Sequence, residues 1–354
     1  MKWCVSCFKQ YDDEYDICPF CKAEEVTEPK APVHIKPGTE LYHGRYVIGL
    51  AIGDSGFCIV YRAWDKYFRR IVAIKEFYMI GIMLRTEGDT AVSVYKRRAD
   101  EYRYRKEQFL AKARILETFG GGIGFQKVYD CFEDNGTAYI VMELLTGRSL
   151  KSYLKEQDGG KVDPQFAVAI VTEAAKALKI MHNHRIVHRN IAPDSIFYTE
   201  KRDGGRAVYI IGLETALSFG DHDVGLWINI NNGYSPVESY DLMQKHIGPW
   251  TDVYSLGAVL YNMLTGITPE EATLRKATLE WGEKDPLRPP YESDPSVPVA
   301  LSNAVMHAMA IDAPARFKDM DEFIKAIDGK KTVRDSKEKR KFSILNRIGF
   351  TRCR

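Results

Sequence analysis

The chain has 354 residues, 45% of them hydrophobic and 28% charged, which is the composition of an ordinary folded protein with ample apolar material for a core of two lobes. No run of about twenty apolar residues occurs, so a membrane-spanning helix is excluded, and no internal repeat or low-complexity block stands out. The formal net charge of +2 hides an uneven distribution: residues 1–30 carry four Lys against seven Asp and Glu, whereas 329–354 carry ten Lys and Arg against two acids.

In chain order, the first signal is a pair of C-x-x-C knuckles, Cys4-Val5-Ser6-Cys7 and Cys18-Pro19-Phe20-Cys21, ten residues apart. Four thiolates in two close pairs are the ligand set of a structural Zn²⁺, tetrahedral and without an open position for catalysis. The competing reading is four free thiols or two disulfides. The remaining Cys58, Cys131 and Cys353 are scattered and without motif. A ribbon of residues 1–28 has too little apolar surface to fold alone, so metal binding is expected to supply its folding energy. Met1-Lys2-Trp3 leads straight into the knuckle with no signal peptide, and a reduced, cytoplasmic chain is expected.

Glu28-Pro29-Lys30-Ala31-Pro32 and Lys36-Pro37-Gly38 mark a polar, proline-bearing linker over 29–40. Residues from about 41 to 145 read as β-rich. Tyr46 to Tyr61 alternates as strand, turn and strand, and includes Ile52-Gly53-Asp54-Ser55-Gly56-Phe57-Cys58-Ile59-Val60-Tyr61; Val72-Ala73-Ile74-Lys75 is a further apolar strand. Lys96 to Arg105 is a basic, tyrosine-rich run read as a solvated helix face, and a helix is expected from Glu107 to about Thr118.

From Ser149 the periodicity turns helical and stays so through Ile327, apart from a few loop segments, giving a second, helical part over about 146–328. Those segments are His188-Arg189-Asn190-Ile191-Ala192-Pro193-Asp194-Ser195, the strand Val208-Tyr209-Ile210-Ile211 with Gly212-Leu213-Glu214 behind it, and Gly233-Tyr234-Ser235-Pro236-Val237-Glu238. Trp250-Thr251-Asp252-Val253-Tyr254-Ser255-Leu256-Gly257 opens a long helix, and Arg316 follows late in the chain. The tail, 329–354, mixes cations with apolar residues between Lys337 and Phe350; contact with an anionic lipid surface or nucleic acid is one reading, and a solvated terminus is the simpler one.

Taken together and in this order, these phrases resemble the protein kinase superfamily over about 280 residues: a glycine-rich loop, V-A-I-K, the H-R-D-L-x-x-x-N loop, the D-F-G position, the end of an activation segment and the start of the central helix. Lys75-Glu76-Phe77-Tyr78, Ser93-Val94-Tyr95, Asn135 to Glu143 and Gly248-Pro249-Trp250-Thr251-Asp252 are similar to bacterial serine/threonine kinases that carry an N-terminal zinc ribbon. The resemblance implies an α+β, bilobal kinase-like fold: a β-rich N-lobe over about 41–145 and a helical C-lobe over about 146–328. It also implies an adenine slot from Ile52, Val60, Ala73 and Met142, with Gly53, Gly56 and Lys75 toward the phosphates.

Set against the family pattern, the departures fall where phosphate and metal would be held. The base position is Asn190, which has no basic lone pair comparable to a carboxylate. The two Mg²⁺ positions are Ser195 and Gly212, and a hard cation wants oxygen ligands. A slip of two residues would bring Glu214 to the second of them, at the expense of the apolar strand. The second and third loop glycines are Ser55 and Cys58. The family's helix glutamate, partner of the strand lysine, aligns with Lys112; Glu107 and Glu117 lie about 140° round the helix from it and cannot substitute. The positions that the resemblance makes structural are kept: His188 and Arg189 in the loop, Leu213, Asp252 as anchor of the loop backbone, and the buried pair Glu238–Arg316.

The reading is therefore a zinc-ribbon-bearing pseudokinase in bacterial signalling, acting through protein partners of unidentified kind, with structural Zn, weak ATP binding at most and doubtful Mg. A working serine/threonine kinase using ATP is the alternative, and a zinc-ribbon adaptor for nucleic acid a weaker one.

Overall fold

The computed structural model describes residues 1–200, 206–218, 230–241 and 246–329. The tail from 330 on, with Cys353, lies outside the described residues, as does the side chain of Glu214. The chain divides into two compact units at 146/147.

The first unit begins with the hairpin β1 (Lys2–Trp3) and β2 (Gln10–Tyr11), paired Lys2 to Tyr11 and Trp3 to Gln10. The two knuckles close alike. Phe8 N–H donates to Cys4 O at 2.8 Å and Lys22 N–H to Cys18 O at 2.9 Å, and both Phe8 and Lys22 take positive φ, 57° and 60°. Their core consists of Cys4, Tyr11 and Cys18, with Cys7 and Ala23 against it.

The knuckles are docked on the sheet that follows. The buried Phe8 ring stacks on Trp64 at 6.3 Å, and Phe8 Cζ and the Val5 carbonyl both lie 2.7 Å from where a Cβ on Gly49 would stand. Only glycine admits this approach.

That sheet has six antiparallel strands in the order β3-β4-β5-β6-β10-β9: β3 (Glu40–Leu41), β4 (Tyr46–Asp54), β5 (Cys58–Asp65), β6 (Arg70–Phe77), with β9 (Val128–Asp134) and β10 (Thr137–Glu143) later in the chain. A small hairpin, β7 (Met83–Leu84) with β8 (Ser93–Val94), precedes the helix α1 (Ala99–Thr118). This helix begins eight residues before the expected Glu107. Its first turns have almost no apolar stripe, and ion pairs support them instead: Arg98–Glu101 at 2.5 Å, Arg105–Glu101 at 2.7 Å and Arg103–Asp100. Phe109 and Ala113 bury its inner face, Phe109 against Phe77 at 5.5 Å.

Strand alternation places Lys75 and Phe77 on one face of β6 and Glu76 on the other. Glu76 is fully buried, and its carboxylate accepts from Tyr61 Oη (3.0 Å), Tyr139 Oη (3.0 Å) and both terminal nitrogens of Arg85. The segment leading from the ribbon is packed over this cluster, with Ile35 1% exposed.

The second unit carries β11 (Arg148–Ser149), α2 (Leu150–Lys155), α3 (Pro164–Asn183), β12 (Ile186–Val187), β13 (Ile196–Glu200), β14 (Arg206–Ile210) and β15 (Leu217–Ser218). Strands β11-β13-β14 form one sheet and β12-β15 another. Then come α4 (Pro249–Thr265), α5 (Ala272–Glu280), α6 (Pro290–Ser293), α7 (Val299–Ala308) and α8 (Met320–Ile327). Helix α4 is buried on nearly every side, from Thr251 to Leu264, with α3 and α7 packed beside it. Pro249 starts it and Gly266, at φ 73°, ends it. Among the described residues, no helix is long and apolar enough to cross a membrane.

Candidate functional site

The four knuckle sulfurs lie within 4.8 Å of one another, and no other group of three or more His, Cys, Asp or Glu among the described residues could hold a metal ion. Cys4 and Cys21 sulfurs are 3.5 Å apart, Cys7 and Cys18 sulfurs 3.7 Å, far beyond a disulfide bond of about 2.05 Å. A tetrahedron with Zn–S bonds of about 2.3 Å has edges of about 3.8 Å, so these residues fit the ion. The Cys7 N–H reaches the Cys4 sulfur at 3.4 Å, the type of donor that steadies a thiolate.

The thiols are also electrostatically unequal. Burial pushes the Cys7 thiol up to about 12, while Cys18 is drawn down to about 6 because N–H groups of Cys21 and Phe20 outweigh its desolvation. Four clustered thiols without a cation share the available donors unevenly, and a divalent ion would hold all four as thiolates.

Elsewhere in the first unit, register sets Val60, Ala73, Lys75 and Met142 on one face, since Lys75 pairs with Val60 and Ile140, and Ala73 with Met142. Ala73 and Met142 are buried, Lys75 half-buried and Ile52 half exposed. Burial depresses Lys75 below its ordinary value, offset in part by the neighbouring Cys58. The Cys58 thiol, 2% exposed, is pushed up to about 11 by burial and drawn back by Lys75 and Lys112, so both ammonium groups act on the same spot. Glu117 acts instead on Cys131, on β9.

The glycine-rich segment, Gly53 to Cys58, turns its amides inward. Gly56 N–H, at φ 75°, donates to Asp54 Oδ1 at 2.9 Å, and Ser55 N–H donates to Cys58 O at 3.1 Å. A carboxylate therefore stands at the tip, where a phosphate-binding loop offers free N–H groups.

In the second unit, Asp252 organises the loop 188–195. Its fully buried carboxylate accepts from His188 N and Arg189 N, both at 2.9 Å, and from His182 Nε2 at 2.8 Å. Burial alone would raise its pKa; the His182 contact, with the His188 ring and its backbone N–H, holds it below the ordinary carboxylate value. His188 is fixed on both ring nitrogens: Nε2 donates to Ile211 O at 3.1 Å and Nδ1 accepts from Asn190 N at 3.3 Å. Thr215 Oγ1 donates to His188 O at 2.9 Å, and Leu213 is buried beyond it. Arg189 adopts φ 69°, a left-handed backbone.

The positions that would carry chemistry are engaged locally. Ser195 Oγ donates to Ala192 O at 2.9 Å and accepts from Ala192 N at 3.0 Å, closing a turn. Asn190 Oδ1 accepts a short hydrogen bond from Asn231 Nδ2. Gly212, at φ 82°, has no side chain to offer. With no carboxylate at the three positions and both side-chain oxygens occupied, the residues do not fit Mg²⁺. Further off, Glu238 and Arg316 form a bidentate buried pair at 2.6 and 3.0 Å, with Thr251 Oγ1 donating to the same carboxylate at 3.1 Å.

Several of these groups escaped sequence reasoning. Asn231 has no motif beyond preceding Gly233. Asp54 had a signal, because Asp two residues before Gly is an Asx-turn pattern. Glu76 had one too, since alternation puts it opposite Lys75 on an apolar face where a carboxylate requires partners.

A protein kinase domain model matches residues 46–288. A probable serine/threonine-protein kinase of Clostridium acetobutylicum is 29% identical over 305 residues, covering 83% of this chain and 41% of the relative. The serine/threonine-protein kinase PrkC of Bacillus subtilis is 29% identical over 290 residues, covering 80% and 40%. The chain thus spans about two-fifths of the length of these relatives. Among solved structures, the apo form of PpkA-294 matches with a TM-score of 0.69 at 26% identity, covering 83% of this chain and 99% of that one. The PknI kinase domain of Mycobacterium tuberculosis shares the fold at a TM-score of 0.54 and 18% identity, covering 81% and 96%.

Proposed function

Because the chain belongs to the protein kinase family, with a β-rich N-lobe and a helical C-lobe, we propose that it is a degenerate member of it, a pseudokinase that acts by binding protein partners. The observation that carries this reading is the state of the loop 188–195. Its backbone is anchored on the buried Asp252, yet the side chain at the base position is an amide whose oxygen is bonded to Asn231. Loss of general-base help alone is worth roughly 10²–10⁴ in rate. The absence of metal-holding carboxylates falls in the same cooperative unit, where losses do not add simply.

Nucleotide binding, on this reading, is weak and largely independent of Mg²⁺, resting on the apolar face around Ala73 and Met142 and on Lys75. The four cysteines hold a structural Zn²⁺, and their reduced state suits a cytoplasmic setting.

The test is phosphate incorporation from ATP into the protein itself and into a generic protein substrate, beside heat stabilisation by nucleotide with and without Mg²⁺. No incorporation and a small shift insensitive to Mg²⁺ are expected. The relatives' names favour the rival, an ATP-dependent serine/threonine kinase; incorporation that disappears in Lys75→Met would establish it.

A further inference from the structure

The segment leaving the ribbon is bonded at two points to the buried Glu76 cluster. Val33 O accepts from Arg85 Nη1 at 2.6 Å, and Ile35 N–H donates to Tyr61 Oη at 3.0 Å, while Arg85 and Tyr61 both bind Glu76. Between these anchors His34 is held nearly buried, 9% exposed, its ring edge-on to Tyr61. That fixed ring sets Nε2 3.4 Å from Asp54 Oδ2.

Asp54 is the tip residue whose other oxygen takes the Gly56 N–H. A second segment restrains the same loop, since Ile80 N–H donates to Gly56 O at 3.3 Å and Tyr78 N–H to Phe57 O at 3.2 Å. The loop therefore has a carboxylate at its tip, an amide committed to that carboxylate, and a histidine from outside holding it there.

We propose that Val33–Ile35 is a strap that latches the glycine-rich loop, and that displacing His34 from Asp54 opens the loop to the phosphates of a nucleotide. The proposal rests on the reading that this face retains a nucleotide role. An N–H bonded to Asp54 cannot donate to a phosphate, and the carboxylate repels one at close range. Once His34 is gone, the exposed Asp54 is free to turn into solvent, and Gly56 N–H becomes available to an anion.

The test uses His34→Ala, Asp54→Ala and the double variant in the full chain, with two readouts: hydrogen exchange at residues 53–58, and binding of ADP without Mg²⁺. Exchange of the Gly56 amide is expected to rise about tenfold in His34→Ala, the scale set by losing one hydrogen bond. ADP binding tightens severalfold, and the Ile35 amide stays protected because Tyr61 still accepts from it. Adding His34→Ala to Asp54→Ala changes nothing further, since both act through one contact. Unchanged exchange in His34→Ala overturns the latch, as do additive effects of the two substitutions on ADP affinity. Released exchange with no change in ADP affinity, or with no ADP binding in any variant, overturns the gate. Phosphotransfer by the unaltered chain sinks the pseudokinase reading instead, and the exchange data tell that failure apart.

Discussion

The ribbon and the loop 188–195 are furnished in opposite ways. In the ribbon every chemistry-bearing side chain is present, four sulfurs in ligand geometry, while the supporting core is little more than Cys4, Tyr11 and Cys18. In the loop Asp252 holds two backbone amides and a histidine, while Asn190, Ser195 and Gly212 present no carboxylate. The contrast shows what each region needs in order to exist. Knuckles with so small a core are expected to need an ion, whereas a loop pinned to a buried carboxylate is held without one.

Removing the ion should produce the largest effect, because structural Zn²⁺ supplies roughly 10–16 kcal/mol of apparent binding free energy to small zinc modules. One zinc per chain is expected by elemental analysis. Cys18→Ser should lose the metal and expose the amides of residues 1–28 to exchange while the second unit keeps its protection. A folded ribbon without metal would break the comparison at its first term.

Next in size is the buried pair Glu238–Arg316, in the same unit as the loop. Arg316→Ala leaves the Glu238 carboxylate buried beside Thr251 without its cation, and should cost about 3–5 kcal/mol in denaturant unfolding of the second unit. A loss within the range of surface substitutions would mean that the buried pair carries little of that unit's stability.

Gly49→Ala sharpens the ribbon side. Its Cβ would meet Phe8 Cζ and the Val5 carbonyl at 2.7 Å and the Arg62 carbonyl at 2.9 Å, so overpacking of about 1–3 kcal/mol is expected. Phe8→Ala should relieve part of it, and the two effects measured together should be non-additive.

The pH dependence of the second unit provides a fourth check. Asp252 is depressed below its ordinary 3.8 in the folded chain, so it contributes stability that is present above that value and lost as pH falls through the folded one. Asp252→Asn should remove this component, leaving a flatter acid-unfolding profile below about pH 4. An unchanged acid profile would argue that the loop is anchored elsewhere.

Smallest of all should be the gain from repairing one position. Asn190→Asp restores a base without restoring metal ligands, so incorporation of phosphate should stay within about tenfold of background. Substantial turnover from this single change would show that the loop's chemistry was nearer to intact than its metal positions indicate.

Much of this was legible beforehand. The C-x-x-C spacing identified the ligand set because two short turns bring four sulfurs together whatever surrounds them. That Asn190, Ser195 and Gly212 offer no carboxylate was equally legible, since residue type is given by the sequence itself. The start of α1 was legible only in part: Lys96 to Arg105 read as a solvated helix face, but its continuity with the helix expected from Glu107 rests on ion pairs among residues 98–105, where apolar periodicity is silent. Nor was the character of the linker, whose Pro-bearing, polar sequence conceals His34 and Ile35 inside the first unit.

Local chemistry, then, was decided by residue type and spacing: which sulfurs can meet around an ion, and which loop positions carry no carboxylate. Only the folded chain decided where the remaining polar groups find partners, the Asn190 oxygen at Asn231, Asp54 at His34, and Glu76 at Arg85 and two tyrosines. Several of those partners lie tens of residues away, and a hydrogen bond depends on distance and direction in space, which the order of residues along the chain does not contain.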